Sequence, residues 1–439
     1  MQPTGSWLYA SPARRREEDA RTTASRNERK VHKISALRSP RGLLGSLAHQ
    51  GQSAALLLIM TTGYAVYAVD RLVLSAVLAP MSTSLALTNS QIGLLGSAQY
   101  IGVTCVVFAA GYLSDRFGRW PVLISGLAVF TAFTWLIGFS SSFSEAFLFR
   151  LVSGFGEGAF WPVAMASVAG YFKGRKGLAL GIFYVGFDAG SVAGLSIGGV
   201  AYTLTSSWRP AFFFAPLIGL VVIAAALIAR RRLVGARQGF AGIRLGRDAL
   251  QLLKRRNVVL IMAFALLATW ASVWQVVFLP YYFFKVMHFT VLSASLLSSL
   301  VLVAGAFGKI ILGGLSDSVR RNRLLIAVTL ATFLSYVIFF SSSTFALYMA
   351  AALSMGFFSA SIFPVVQSLM TDSADGTTGS ALGLSTSAQS VATIFSTFIA
   401  ASLFTIGVGR AVALDAMIPI SLAFLVALFP REPRRTDAP

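Results

Sequence analysis

The chain has 439 residues, of which 56% are hydrophobic and 12% are charged, and its formal net charge is +20. A soluble protein of this size and composition would expose far too much apolar surface, so the sequence predicts an integral membrane protein. The basic residues lie in the tails and in alternate loops rather than on one surface, which argues against a nucleic-acid partner, and the single cysteine, Cys105, excludes an intramolecular disulfide.

The first segment, residues 1–50, is polar and mixed in charge, and it lacks the apolar core of a cleaved signal peptide. We expect a disordered cytoplasmic tail that only extends the chain. The alternative is an arm that contacts the lipid surface or regulates the protein.

Apolar stretches of about 20 residues, long enough to span a bilayer, follow one another through the rest of the chain. They predict an all-α membrane protein with twelve transmembrane helices in two lobes of six. The spans of the first lobe, 51–229, are expected at 54–79, 91–113, 120–140, 143–170, 177–203 and 209–229. The spans of the second lobe, 257–430, are expected at 257–284, 290–313, 322–341, 343–370, 377–406 and 410–430.

Between the lobes, residues 230–256 are predicted to form a cytoplasmic linker, and residues 431–439 a cytoplasmic tail. The linker has the amphipathic pattern of a short surface helix, with Phe240, Ile243 and Leu250 on the membrane.

The loops of one side carry most of the positive charge, whereas the opposite loops hold little beyond three basic residues, Arg209, Lys285 and Arg410. By the positive-inside rule the basic side is cytoplasmic, which places both termini there. Because no targeting or glycosylation signal is seen, we expect a bacterial inner membrane.

An internal repeat relates the two lobes. The phrase Gly111-Tyr112-Leu113-Ser114-Asp115 recurs as Gly313-Gly314-Leu315-Ser316-Asp317, and the same offset carries Gly154 onto Gly356 without a gap. Repeated apolar helices of this kind predict two pseudo-symmetric lobes with a transport path between them.

Charged residues inside the spans break this repeat, and we expect them only in the first lobe. Under the repeat, Asp70, Arg71, Arg150, Glu157 and Asp188 correspond to Ser272, Val273, Ala352, Ser359 and Ser390. Because an ionisable side chain within a bilayer costs several kcal/mol (~3 kcal/mol on insertion scales), it tends to be paired, protonated or in contact with a water-filled path. Residues shared by both lobes serve the fold, so these unshared charges are candidates for chemistry.

Asp70 and Arg71 are adjacent on the first helix and point about 100° apart, so we expect contacts with the fourth helix, where Arg150 and Glu157 share a face. A carboxylate among apolar helices is readily protonated, whereas an arginine stays charged and grips a carboxylate with two hydrogen bonds. This combination indicates proton-coupled anion transport. Arg71 would hold the anion, with Asp70, Glu157 and Asp188 as the proton-coupling acids. The alternatives are a permanent salt-bridge network and, for Arg150, a side chain that merely snorkels from a helix end.

Gly111-x-Leu113-x-Asp115-Arg116-x-Gly118-Arg119 lies between the second and third helices, and a partial copy with Asp317 and Arg321 lies in the corresponding loop of the second lobe. These residues resemble the signature loop of the major facilitator superfamily. The resemblance implies a conformational latch, in which an Asp at a helix end pairs with Arg residues and a helix N-terminus. The alternative is that the arginines only fix the orientation in the membrane.

Asp70-Arg71, Arg150 and the run Gly154 to Pro162 also resemble the anion:cation symporter branch, which includes bacterial sugar-acid and aromatic-acid permeases. The resemblance implies that Arg71 binds the substrate carboxylate and that Asp70 and Glu157 couple protons. Some members carry another Arg in the seventh helix, where this chain has Trp270, Trp274 and Gln275.

Further polar and aromatic residues are candidates for the wall of the path, with helix packing as the alternative for each. They are Tyr64, Tyr67, Gln99, Tyr100 and Tyr184 in the first lobe and Trp274, Gln275, Gln367 and Gln389 in the second. Along the fifth helix, Gly186, Gly190, Gly194 and Gly198 recur every four residues, a spacing that lets another helix approach closely.

No Gly-Lys-Ser/Thr phosphate loop is present, the three histidines are far apart, and no cysteine cluster exists. The sequence therefore predicts no enzyme, no cofactor and no metal site. We expect the energy for transport to come from a gradient. The leading hypothesis is a monomeric proton symporter that imports a small organic anion, such as a sugar acid or an aromatic carboxylate, across the lipid bilayer. The alternatives are a proton-antiport exporter of drugs or metabolites and a membrane sensor that binds its ligand without moving it.

Overall fold

The computed structural model describes residues 40–172, 176–232, 251–373 and 378–429, and all regular secondary structure in them is helical. Its twelve long helices are α1 (Pro40–Ser84), α2 (Asn89–Phe117), α3 (Arg119–Ile137), α4 (Phe143–Tyr171), α5 (Lys176–Thr205), α6 (Arg209–Arg232), α7 (Arg256–Val277), α8 (Val291–Ser318), α9 (Arg321–Ser341), α10 (Phe345–Asp372), α11 (Thr378–Ser402) and α12 (Val408–Ala427). We call α1–α6 the first half and α7–α12 the second half.

The predicted all-α membrane fold is confirmed. Eleven of the described helices contain a segment long and apolar enough to cross a membrane. α4 is as long as α2, with 29 residues, but Arg150, Glu157 and several glycines interrupt its apolar run. α4 is therefore not among the eleven, and it is the helix on which the sequence predicted two of the charges within the spans.

The helix ends differ most from expectation at α1, which begins at Pro40 and takes in the last residues of the segment predicted to be a tail. Residues 1–39 of that tail lie outside the described part of the chain. The same holds for linker residues 233–250, which contain Phe240, Ile243 and Leu250, and for the C-terminal residues 430–439.

The seventh span, expected over 257–284, is divided into two helices. α7 ends at Val277, and a short helix, Leu279–Lys285, follows Phe278. Pro280 has no amide hydrogen to donate to the preceding turn, and its ring clashes with a continuing helix. Similarly, α11 ends at Ser402 and gives way to a 3-10 turn, Leu403–Ile406, within the span predicted over 377–406.

The repeat is visible in how helices start. Thr88 precedes α2 and its hydroxyl accepts a hydrogen bond from the Gln91 amide at 3.3 Å. Thr290 holds the corresponding place before α8 and accepts from the Ser293 amide at 3.2 Å. A capped start satisfies one of the free amides of the first turn, so both halves fix their second helix in the same way.

Each half packs in the same pattern, with α2 and α3 against α4 and with α8 and α9 against α10. The halves meet where α2 packs on α11 and where α5 packs on α8. These two contacts border any path that runs between the halves.

Two glycines mark close contacts between the halves. A Cβ on Gly93 of α2 would lie 2.9 Å from the Thr397 oxygen of α11, and one on Gly199 of α5 would lie 3.0 Å from Ser295 of α8. We call the opposite end, where α2 and α8 finish, the basic end. There Gly181 of α5 and Gly314 of α8 have no neighbour within 4 Å of such a Cβ. The glycine contacts between the halves thus lie away from the basic end, whereas α5 at Gly181 and α8 at Gly314 are open.

The glycines of α5 face α1, as the spacing predicted for a close helix contact. Added Cβ atoms would lie 2.3 Å from the Thr61 oxygen at Gly186, 2.1 Å from the Ala65 oxygen at Gly190 and 2.8 Å from the Val69 oxygen at Gly194. These are backbone atoms, which cannot rotate away. α1 is thus held against α5 just before it reaches Asp70.

The first prediction concerns this contact. Gly190→Ala should lower the stability of the protein by roughly 1–3 kcal/mol, because overpacking forces α1 and α5 apart. Gly181→Ala is the matched control in the same helix, and it should leave stability unchanged or raise it by up to ~1 kcal/mol through helix propensity. Thermal unfolding of both variants in detergent checks this, and equal melting temperatures would contradict the close contact.

Candidate functional site

A group of polar side chains lies buried between α1, α2, α3 and α4. It consists of Asp70, Arg71, Gln99, Thr134, Arg150, Ser153 and Glu157. Four helices converge on it because the glycines allow close approach: a Cβ on Gly154 of α4 would lie 2.2 Å from the Gln99 oxygen of α2. The structure therefore brings together the four charged residues that the sequence assigned to α1 and α4.

Arg71 and Glu157 form an ion pair, with 2.9 Å between Nε and Oε2. The Glu157 side chain is 0% exposed and that of Arg71 is 12% exposed. The other Glu157 oxygen, Oε1, accepts a hydrogen bond from Gln99 Nε2 at 2.6 Å. Both acceptor atoms of this carboxylate are thus used, one by a cation and one by an amide.

Asp70 is held by more donors. Its Oδ2 accepts from Gln99 Nε2 at 2.8 Å and from Ser153 Oγ at 2.5 Å, and its Oδ1 accepts from the Thr134 hydroxyl. Arg150 Nη1 lies 3.5 Å from Oδ1 as well. The Asp70 carboxylate thus contacts donors from α2, α3 and α4.

Arg150 does not snorkel, so that interpretation of its place near a helix end is wrong. The residue is 3% exposed. Its Nη1 donates to the Asp70 peptide oxygen at 2.9 Å, and its Nη2 donates to that of Arg71 at 3.2 Å. The planar guanidinium thereby clamps α4 onto the backbone of α1 at the two residues that carry the charges.

The Arg71 guanidinium lies between two aromatic rings. Its Cζ is 4.4 Å from the ring centre of Tyr67 and 4.6 Å from that of Tyr100. Among the described residues its hydrogen-bond partner is Glu157, through Nε, so the Nη groups have no protein acceptor there. An arginine with a free outer edge, held flat by two rings, is arranged to bind a carboxylate.

An aromatic wall continues from Tyr67 between α1 and α5. Tyr64 stacks on Phe183 with ring centres 4.5 Å apart, and it lies 6.1 Å from Tyr184 and 5.3 Å from Phe187. Tyr64, Tyr67 and Tyr184 were predicted for this region. Phe183 and Phe187 were missed, since a phenylalanine in an apolar span gives no signal of its own.

A second ion pair joins the two halves. Lys309 Nζ of α8 lies 2.6 Å from Asp188 Oδ1 of α5, and the two side chains are 34% and 23% exposed. The expectation that charges within the spans are confined to the first lobe is therefore wrong. Lys309 stands in an apolar run and corresponds to Val107 under the repeat, so the test applied to the first lobe would have found it.

Asp415 of α12 was missed in the same way and corresponds to Phe213. It is 4% exposed, and it accepts from Trp270 Nε1 at 2.7 Å and from Ser396 Oγ at 2.9 Å. Trp270 thus occupies a place in the seventh helix where the resemblance suggested an arginine, and it binds an acid of its own half.

The candidates of the second half have their described contacts within that half. Trp274 is fully buried and packs on Phe339 with ring centres 5.7 Å apart. Gln275 donates to the Tyr336 hydroxyl at 2.6 Å, and Gln389 donates to Ser385 Oγ at 3.1 Å. Gln367 is half-buried on α10. These contacts agree with the alternative that Trp274, Gln275 and Gln389 serve helix packing.

The signature loop forms the tight turn between α2 and α3. Gly118 has φ +87°, a conformation that favours glycine, whereas Gly111 and Asp115 lie in the last turns of α2. Arg116 Nη1 donates to the Tyr112 hydroxyl at 3.4 Å, and Arg119 begins α3.

In the corresponding loop of the second half, Asp317 lies in the last turn of α8 and Arg321 begins α9. Arg321 Nε donates to the Ser316 oxygen at 3.3 Å, and its Nη1 pairs with Asp372 at the end of α10. Asp372 was not predicted. This loop therefore connects α8, α9 and α10 at the basic end.

The sequence is similar to that of known membrane transporters. A sequence profile of the Major Facilitator Superfamily matches residues 60–340 and 275–439. A probable 4-methylmuconolactone transporter of Cupriavidus pinatubonensis is 31% identical over 150 residues, 34% of this chain and 34% of the relative. A 3-(3-hydroxy-phenyl)propionate transporter of Escherichia coli is 28% identical over 145 residues, 33% of this chain and 35% of the relative.

A multidrug transporter of Bacillus subtilis is 31% identical over 130 residues, 29% of this chain and 24% of the relative. The chain thus covers about a third of the length of these curated relatives or less. The fold is similar to the crystal structure of a bacterial homologue of the human lysosomal transporter Spinster, in an inward-facing and unoccupied conformation. The TM-score is 0.69 at 16% identity, over 87% of this chain and 97% of the other.

The second prediction concerns the Arg150 clamp. Arg150→Leu should destabilise the protein by about 3–5 kcal/mol, because it leaves the buried Asp70 carboxylate without its cation. Arg410→Leu, at an exposed arginine at the start of α12, is the control and should change stability little. Melting temperatures of both variants in detergent check this, and a wild-type value for Arg150→Leu would rule out the clamp.

Proposed function

Because the chain belongs to the major facilitator superfamily, we propose that it is a transporter that carries a small organic anion, such as a sugar acid or an aromatic carboxylate, into the cell together with a proton. The observation that carries this proposal is the Arg71–Glu157 pair. A cation with a free hydrogen-bonding edge is joined to a fully buried acid, which can release that cation by taking up a proton.

The charges of the buried group balance when both acids are ionised, since Asp70 and Glu157 are matched by Arg71 and Arg150. A net charge in surroundings with little water is costly. A proton on Glu157 leaves one net positive charge in the group. The carboxylate of a substrate can neutralise it, so proton and anion favour each other's binding, as symport requires.

The hydrogen bonds of Arg71 and Glu157 also favour coupled binding of proton and anion. Protonation weakens the hold of Glu157 on Arg71, and the guanidinium can then bind a substrate carboxylate through two parallel hydrogen bonds. When the substrate leaves, Glu157 returns its proton and recovers Arg71 as its partner. Gln99 contacts both acids and keeps them in place during the exchange.

Glu157 is the better proton-coupling acid of the two. Asp70 accepts from Gln99, Ser153 and Thr134 and lies beside Arg150, so protonation would sacrifice several interactions at once. Glu157 has one cation and one amide. Asp188 is a further candidate, because its protonation would release Lys309.

The open faces of α5 at Gly181 and of α8 at Gly314 support a state open on the basic side. We propose that the basic side is cytoplasmic, that both termini lie there, and that the protein resides in a bacterial inner membrane. Rocking of the two halves about the buried group would then expose it alternately to either side. One path enclosed by two halves of one chain suits a monomer.

The aromatic residues favour a substrate with an apolar or aromatic body. Tyr67 and Tyr100 flank Arg71, and Tyr64 extends the wall toward α5. The relatives named for 3-(3-hydroxy-phenyl)propionate and 4-methylmuconolactone are in line with an aromatic acid or a ring compound derived from one.

Export of drugs or metabolites by proton antiport is the second candidate, because one relative is a multidrug transporter. In an antiporter a cationic substrate would compete with the proton for Glu157. Symport would leave Arg71 essential and the substrate anionic, so the charge of the transported compound separates the two.

The third prediction concerns Arg71. In proteoliposomes with an inward proton gradient, wild-type protein should accumulate an aromatic carboxylate such as 3-(3-hydroxyphenyl)propionate. Arg71→Ala should lose at least ~10-fold in affinity, since a hydrogen bond to a charged group contributes about 1.5–3 kcal/mol. Arg209→Ala is the control, because Arg209 lies at the far end and donates to the Ser140 oxygen. Wild-type affinity in Arg71→Ala would remove this residue from the site.

The fourth prediction concerns Glu157. Glu157→Gln, which imitates the protonated acid, should retain exchange of labelled for unlabelled substrate but should not concentrate substrate in response to a proton gradient. Affinity in the wild type should rise as pH falls, because protonation releases Arg71, and it should become independent of pH in the variant. Glu145→Gln, at an exposed acid on the same helix, is the control. A Glu157→Gln protein that still concentrates substrate would reassign the coupling acid.

A further inference from the structure

The Asp188–Lys309 pair has no part in the exchange between Arg71 and Glu157. It is an ion pair between α5 of the first half and α8 of the second, with 2.6 Å between Oδ1 and Nζ. Among the described residues it is the one hydrogen bond of either side chain. A lysine ammonium has three donors, so Lys309 retains two for another acceptor.

This pair is exchangeable, unlike the pair that clamps α1 to α4. The side chains of Lys309 and Asp188 are 34% and 23% exposed, whereas those of Arg150 and Asp70 are 4% and 3% exposed. Water competes strongly for an exposed pair, so a dissolved carboxylate can replace Asp188 on Lys309 without leaving a buried charge behind.

Lys309 is connected to the Arg71 site through two aromatic rings. Its Nζ lies 6.0 Å from the ring centre of Phe187, and Phe187 lies 6.2 Å from Tyr67, the ring that covers Arg71. The two cations therefore border one aromatic surface, one at each end. Arg71 comes from the first half and Lys309 from the second.

Lys309 is also accessible from the open end. Toward the basic end, Gly186 of α5 and Gly313 of α8 have their nearest neighbours within their own half, at Thr61 and Pro364, and farther along, Gly181 and Gly314 have no neighbour within 4 Å of an added Cβ. A compound that enters from the basic end thus meets Lys309 before the close contact of the halves at Gly199.

We propose that Lys309 is a second anion-binding residue and that the substrate is a dianion whose apolar body lies over Tyr67 and Phe187. One acidic group binds Arg71 and the other replaces Asp188 on Lys309. This inference rests on the proposed function, since it extends the Arg71 site. Because Asp188 and Lys309 belong to different halves, the replacement also releases a contact between the halves when substrate is bound.

The experiment compares two acids that differ in one carboxylate, 1,4-phenylenediacetate and 4-methylphenylacetate, in binding to the full chain in detergent. Wild-type protein should bind the dianion about tenfold more tightly, because the second carboxylate gains a charge-assisted hydrogen bond to Lys309 while the half-exposed Asp188 exchanges its bond for water at little cost. Lys309→Gln should lose this preference and keep its affinity for the monoanion, which also serves as the test of folding. Lys309→Arg should retain the preference.

Asp188→Asn provides a change of opposite sign. It removes the competitor for Lys309, so the affinity for the dianion relative to that for the monoanion should rise. Lys285→Gln, at an exposed lysine outside the site, should behave as the wild type. Failure of a variant to fold would show as loss of monoanion binding and would leave the other variants to decide.

The outcomes distinguish this inference from the function on which it rests. Equal affinity of the wild type for both acids, or a dianion preference that survives Lys309→Gln, would overturn the role of Lys309 and leave the anion transporter intact. Binding of neither acid by the wild type would remove both.

Discussion

The cost of burying charge is the constraint on which this structure depends. Asp70, Arg71, Arg150 and Glu157 lie where water scarcely reaches, and each would destabilise the fold by several kcal/mol (of order 3–5 kcal/mol) if left unpaired. The solution is local: Arg150 donates to the α1 backbone and lies beside Asp70, and Arg71 pairs with Glu157. The glycines of α4 and α5 bring α1 and its neighbours close enough for these contacts.

Residues that follow the internal repeat and residues that break it have different roles in this protein. Some residues that both halves share start helices, as Thr88 and Thr290 do before α2 and α8. Others form the turns at the basic end. Charged residues that have no counterpart in the other half lie at positions where helix packing alone does not require a charge. Asp188 and Lys309 follow the same logic, because each is unmatched under the repeat and they meet across the boundary between the halves.

The helices, their number and the contact of α1 with α4 were predictable, because apolar length, the repeat and the spacing of charges all appear in the sequence. The orientation of Arg150 was not, since proximity to a helix end does not reveal that two peptide oxygens lie within its reach. The break of α7 was missed although Pro280 marks it. Lys309 and Asp415 carry the same signal as the first-lobe charges, since each is an unmatched charge in an apolar span, but the expectation of charges in the first lobe alone overlooked them. The aromatic surface could not be predicted, since phenylalanines are common in every span.

Burial also determines which interactions can change during transport. A fully buried pair resists exchange, because any intermediate leaves a charge without a partner, and this suits the Asp70–Arg150 pair as a fixed part of the first half. Glu157 is equally buried, and under the proposed function it releases Arg71 by taking a proton rather than by competition with another anion. Asp188 and Lys309 are half-exposed, so their pair can yield to a solute directly. If both changes occur in one cycle, a proton frees the cation of the first half and the substrate itself frees that of the second. Movement of the halves would then require both partners to be present.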